Sequence, residues 1–275
     1  MLVNYTSKKL RQILIVSVGI LLQCFGISFA DEGYMDTYNH HIWRGELELM
    51  LMNDFTSPSD LKQEKDGQKD YFSQMLELEY APTSQLVFEF MLEAFEDIGT
   101  GEGKFTGFRY EARYRPFKDE VPLNPTLYLE YEDLHPKTRY KMEVSGWVDP
   151  PYEEEGEEPD RERILESRLI LSQDFKPFNI AFNWINETDL SSGETAFGYS
   201  FGILHRSHPV SLAFEFLGAL GDTKKFDIQP SRQEHYFQPS MMIHVGKNSM
   251  FNIGFGIGLT KASDNMVRLN YGWMF

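Results

Sequence analysis

From residue 43 to the carboxyl terminus, apolar side chains recur at i, i+2 and i+4, and not at the i, i+3, i+4 spacing of a helix. The last run shows the pattern without a break. Val267, Leu269, Tyr271, Trp273 and Phe275 share one face, and Arg268, Asn270, Gly272 and Met274 share the other. Two-residue alternation that ends on an aromatic terminal residue predicts the closing strand of a transmembrane β-barrel, with Phe275 as the signal read by the barrel-assembly machinery. About twelve such segments are expected, near 43–52, 70–80, 85–96, 104–116, 125–133, 161–172, 177–187, 194–204, 209–218, 234–245, 249–259 and 265–275. The fold class is therefore all-β, an antiparallel up-and-down barrel of about 12 strands. Tyr140 to Val148 also alternates, so a barrel of 14 is the alternative.

The connections alternate in length as well. Those at Ala81 to Ser84, Phe117 to Asn124, Asp174 to Pro177, Arg206 to Pro209 and Gly246 to Ser249 are short and rich in turn formers, as periplasmic turns are. Asn53 to Lys69, Asp97 to Gly103, Leu134 to Asp160, Glu187 to Gly193, Gly218 to Glu234 and Lys261 to Asp264 lie between them and are expected outside. The longest carries Asp149-Pro150-Pro151-Tyr152 and the acidic run Glu153 to Glu158, a solvated loop.

Parity then assigns the faces. Leu47, Leu49 and Leu51, Leu86, Phe88 and Phe90, Tyr110 and Tyr114, Phe201 and Ile203, and Phe255 and Ile257 are expected to meet lipid. Tyr80, Tyr114, Tyr131, Trp184, Trp273 and Phe275 are placed in the interfacial girdles. The opposite parity carries Arg44, Glu46 and Glu48; Glu77 and Glu79; Glu89 and Glu93; Arg109, Glu111, Arg113 and Arg115; Glu130 and Glu132; Glu166 and Arg168; Asn183; Glu215; His244; and Arg268. A basic side chain at the midplane of hydrocarbon costs about 2–4 kcal/mol, so these residues belong in the lumen. Two meanings compete for them. Arg109, Arg113 and Arg115 select anions in a passive channel for small solutes, or the charges cross-pair into a closed structural or surface-recognition barrel that acts through its outer loops.

The amino terminus agrees with an outer-membrane destination. Lys8, Lys9 and Arg11 precede an apolar run from Ile13 to Phe25, and Ser28-Phe29-Ala30 offers small residues for cleavage. Residues 1–30 therefore read as a signal peptide, 31–42 as a periplasmic leader and 43–275 as the barrel. Cleavage removes Cys24, the only cysteine, so disulfides and thiolate metal sites are excluded. It also removes three positive charges and no negative ones, which takes the formal charge from −16 to −19 and disfavours nucleic acid as a partner. The expected partners are outer-membrane lipids and a small solute, and the expected state is a monomer.

Chemistry is sparse. Gly198-Tyr199-Ser200-Phe201-Gly202 matches G-x-S-x-G, but a strand runs through it where a strand–turn–helix is required. His205, Ser207 and Glu215 supply the residue types of a lipid hydrolase without showing convergence, so no catalytic residue is assigned. Asp36, His40 and His41 have the types for a metal, yet adjacent histidines in a polar leader are more often solvated, and neither metal nor cofactor is expected. The glycines of Gly254-Phe255-Gly256-Ile257-Gly258 alternate inward, leaving room for bulkier side chains across the barrel.

The stretch Phe251 to Phe275, above all Gly256 to Asp264 and Arg268-Leu269, resembles the closing hairpin of a broad group of Gram-negative outer-membrane barrels. This group is similar to the outer-membrane proteins assigned to a phenol-degradation (MetA) pathway. Leu127-Tyr128-Leu129-Glu130-Tyr131 and Leu169 to Phe175 resemble it too. The resemblance implies an outer-membrane barrel that passes small, aromatic molecules and carries no catalytic motif. The acidic loop Glu153 to Glu158 departs from it.

Overall fold

A computed structural model describes residues 33–59, 61, 70–135, 161–226, 229 and 233–275. Twelve strands run β1 (Leu47–Pro58), β2 (Tyr71–Thr83), β3 (Leu86–Asp97), β4 (Glu102–Tyr114), β5 (Thr126–Leu134), β6 (Glu162–Phe175), β7 (Phe178–Asp189), β8 (Thr195–His205), β9 (Val210–Asp222), β10 (His235–Val245), β11 (Ser249–Gly258) and β12 (Asp264–Met274). Each pairs antiparallel with its chain neighbours, and β1 pairs with β12 from Glu48↔Met274 to Pro58↔Asp264. The sheet is thus a closed barrel, which removes every free edge. The short connections gather at one end with both ends of the chain's barrel region, and the longer ones at the other.

Burial is inverted relative to a protein bathed in water. Phe88, Tyr110, Leu129, Phe214 and Phe255 are about half exposed on the outer face. Glu93, Glu130, Glu166, Glu215, Arg113 and Arg268 are almost wholly buried on the inner one. Such an arrangement is stable only where the surroundings are apolar and the interior supplies partners for its charges.

The first strand differs most from expectation. It begins at Leu47 and not near 43, because Gly45 adopts φ 85° and turns the chain over the barrel rim, its N–H donating to the Ala81 carbonyl at 2.7 Å. It then continues to Pro58, so Asn53 to Pro58 is strand where an outer loop was expected. Arg44 consequently sits exposed in that rim turn and leaves the lumen set. The signal peptide at 1–30, the segment Tyr140 to Val148 and the acidic run Glu153 to Glu158 lie outside the described residues.

Candidate functional site

Register sets six of the predicted inward glutamates in a single row and adds Glu187, which was expected at the start of an outer connection. Glu48, Glu79, Glu89, Glu111, Glu130, Glu166 and Glu187 stand directly opposite one another on successive strands from β1 to β7. Like charges facing across a ladder repel, so the row requires cations close by. Arginines two residues along the same strands supply them. Arg113 Nη2 donates to Glu79 at 2.6 Å and to Glu89, and its Nε lies 3.0 Å from Glu111. Arg109 contacts Glu93, Glu130 at 3.1 Å and Glu132 at 3.4 Å, while Arg168 pairs with Glu166. On the far side Arg268 holds Asp54 through two nitrogens at 2.9–3.1 Å and also reaches Asp36.

These partners change the reading of the arginines. Arg109 and Arg113 are clasped by carboxylates and form no open anion-selective strip, and Arg115 stands half-buried just past the end of β4. His244 is likewise half-exposed at the short-turn rim, its ring stacked 5.5 Å from that of His208. The remaining predicted residues do line the interior, Glu46, Glu48, Glu77, Glu215 and Arg168 among them.

The larger finding is where the amino-terminal segment lies. Residues 33–42, expected as a periplasmic leader, run inside the barrel and are almost entirely buried. Glu215 on β9 accepts the backbone N–H groups of Met35, Asp36 and Thr37 at 2.8, 3.0 and 2.7 Å. Asn183 on β7 accepts from Tyr38 N at 2.8 Å and donates back to Tyr38 O at 2.9 Å, as a neighbouring strand would. The Tyr34 hydroxyl donates to the Asn179 carbonyl at 2.9 Å, and His40 N donates to Ser172 Oγ at 2.9 Å. Without these partners the segment would bury unpaired backbone donors, at a cost of about 1–3 kcal/mol each.

Tyr38 locks the segment to the ionic wall. Its ring lies 4.7 Å from the Arg113 guanidinium carbon and 5.0 Å from that of Arg168. Burial raises its phenol well above the ordinary range, so the hydroxyl keeps its proton and donates to Glu111 at 2.9 Å. Cation–π contacts of this desolvated kind contribute roughly 1–2 kcal/mol each.

Small residues make space for the segment. A Cβ on Gly202 would fall 2.4 Å from the Tyr34 ring, and one on Gly254 would fall 3.1 Å from the Met35 methyl. The inward glycines therefore serve the amino-terminal segment, or a neighbouring strand in the case of Gly256 and Met266, and not side chains across the barrel. Beside Tyr38 and Arg168 the interior keeps a cavity of about 60 Å³, lined among others by Met50, Met52, Met75, Met91, Met242 and Met250. It has room for a few water molecules.

Two other constellations resolve differently. His205, Ser207 and Glu215 do not act together: Glu215 serves the amino-terminal segment, the His205 ring packs against Phe178, and Ser207 hydrogen-bonds Ser211 through its backbone. Asp36 leaves the two histidines for Arg268, and His41 meets Asp174 of β6 instead, Nε2 to Oδ2 at 3.1 Å. His40 is fully buried, and burial pushes its pKa down to about 3.

Asp54 and the docking role of Asp36 were missed from sequence. Asp54 carried a legible signal, since Glu48, Met50, Met52, Asp54 and Thr56 continue one parity. Asp36 carried none, because its partners Arg268 and Gln238 are more than 200 residues away.

No protein-family model matches the chain, and no curated protein matches it in sequence. Solved structures share the fold. An outer membrane channel from Pseudomonas putida F1 aligns with a TM-score of 0.54 at 12% identity, over 91% of this chain and 100% of that one. A KdgM porin in complex with disordered oligogalacturonate aligns at 0.50 and 7% identity, over 83% of this chain and 99% of its own.

Proposed function

We propose that the protein is an outer-membrane channel for small solutes, closed in this conformation by residues 33–42. The observation that carries the reading is the manner of closure. Beside the Asp36–Arg268 pair and the Tyr38 ring contacts, the segment is held by hydrogen bonds to Glu215, Asn183, Asn179 and Ser172, groups that water or a polar solute can satisfy once the segment leaves. A lumen closed for purely structural reasons has no need of such replaceable partners.

The interior also favours a kind of solute. Buried carboxylates outnumber buried guanidiniums, so the unplugged lumen prefers cations or neutral molecules over anions. The methionine wall adapts to apolar shapes, consistent with the small aromatic molecules implied by the resemblance of the closing hairpin. The short turns would face the periplasm, from which the segment enters the barrel.

Planar-bilayer recording of the full chain beside a variant lacking residues 33–42 tests the reading. The variant is expected to show large, lasting, cation-preferring openings, and the full chain brief or rare ones. A folded, inserted variant that stays silent would replace the channel with a closed barrel acting through its outer loops.

A further inference from the structure

His40 and His41 on the amino-terminal segment and Asp174 near the end of β6 each present a ligand atom, and the three atoms lie within 4.8 Å of one another. We propose that they bind a divalent transition-metal ion of the zinc, nickel or copper class, which ties the amino-terminal segment to the barrel wall. Two imidazoles and one carboxylate suit these ions and not magnesium or calcium, which take all-oxygen sets.

The surroundings already orient the set. One His40 ring nitrogen, Nδ1, lies 2.5 Å from Ser172 Oγ, and the other, Nε2, is buried without a hydrogen-bond partner. A buried nitrogen left so is unusual for a ring that serves only packing. The serine is the kind of outer partner that fixes the tautomer of a ligating histidine. Asp174 Oδ1 is steered by Asn179 Nδ2 at 2.7 Å and Arg206 Nη1 at 2.8 Å, and Oδ2 faces His41. Arg206 offsets part of the carboxylate charge, so the affinity falls below that of a four-ligand structural zinc site. A fourth position remains for water or solute.

The ligands come from both bodies, two from the segment and one from the wall. A bound ion therefore acts as a clasp at the point where the chain passes between the mouth and the rim turn at Arg44-Gly45. Its effect on conduction rests on the channel reading above, but binding and clasping do not require the barrel to conduct.

Cobalt(II) is titrated into the folded full-length chain in detergent, followed by visible ligand-field absorption, with zinc as competitor. His41→Ala and Asp174→Asn, both on partly exposed side chains, are each expected to weaken binding by about tenfold or more. Replacing His208 and His244, which stack at the same end, is expected to leave it unchanged. Equal binding by the wild type and His41→Ala would overturn the site. Zinc is also expected to slow amide exchange at Thr37 and Tyr38 in the wild type and not in His41→Ala. Binding without that slowing would overturn the clasp. Neither readout uses current, so a silent barrel would count against the channel and leave this test intact.

Discussion

The wall of β2 to β6 and the wall of β7 to β10 solve the same problem in opposite ways. The first is densely charged and largely balances itself, with each buried arginine held by glutamates of its own strand or of strands one or two places away. The second presents Asn179, Asn183, Ser200, Gly202, Ser211 and Gln238 around the carboxylate of Glu215, which finds its partners when residues 34–38 bring their backbone to it. The contrast teaches that rigidity and closure are separate properties of this barrel. One wall is built around its own ion pairs, and the other receives the backbone of the amino-terminal segment.

The sharpest way to break this division is Arg113→Ala, which leaves Glu79, Glu89 and Glu111 without their shared cation. Loss of one partner from a buried ionic group costs about 3–5 kcal/mol, and the expected outcome is that much less stability against urea in lipid vesicles. Adding Glu89→Gln should recover part of it in a double-mutant cycle. If Arg113→Ala melted no earlier than wild type, the self-balancing wall would be wrong.

Glu215→Ala strikes the other wall. Three buried N–H groups lose their acceptor, so docking of the segment should weaken by about 3 kcal/mol while the barrel itself changes less. Faster amide exchange at Met35, Asp36 and Thr37, with the strand amides still protected, is the result that would separate the walls. Loss of protection in all strands together would merge them.

Asn183→Ala is a gentler version of the same experiment, removing the two hydrogen bonds to the Tyr38 backbone. A loss of about 1–2 kcal/mol of docking is expected from exchange at Tyr38. Smallest are the glycines. Gly202→Ala places its methyl against the Tyr34 ring and should displace the segment measurably, whereas at Gly254 the flexible Met35 side chain yields. A change within about 0.5 kcal/mol is expected there, read by the same exchange experiment. Equal effects at the two positions would mean that Tyr34 is no tighter an anchor than Met35.

Much of this was legible in the chain. The twelve strands and the alternation of short and long connections could be read because strand period and turn chemistry are local: Leu127-Tyr128-Leu129-Glu130-Tyr131 alternates whatever it pairs with. The inward glutamates were legible for the same reason. Their meaning was not, since the row from Glu48 to Glu187 exists only once register sets each strand against the next, and parity says nothing of register. Arg44 failed because a positive φ at Gly45 ended the alternation four residues early. Asp54 was lost because a polar residue at the end of a strand resembles the start of a loop.

The amino-terminal segment marks the boundary of what sequence alone determined. Alternation and turn residues suffice to specify an antiparallel barrel with a charged interior, because each depends on neighbours in the chain. Only the tertiary structure decided that Tyr34 to His40 fills that interior. Their partners stand 132 to 180 residues away in the contacts to Ser172, Asn179, Asn183 and Glu215. A segment with no period of its own is placed by whichever wall offers its backbone the hydrogen bonds it must give up on leaving water.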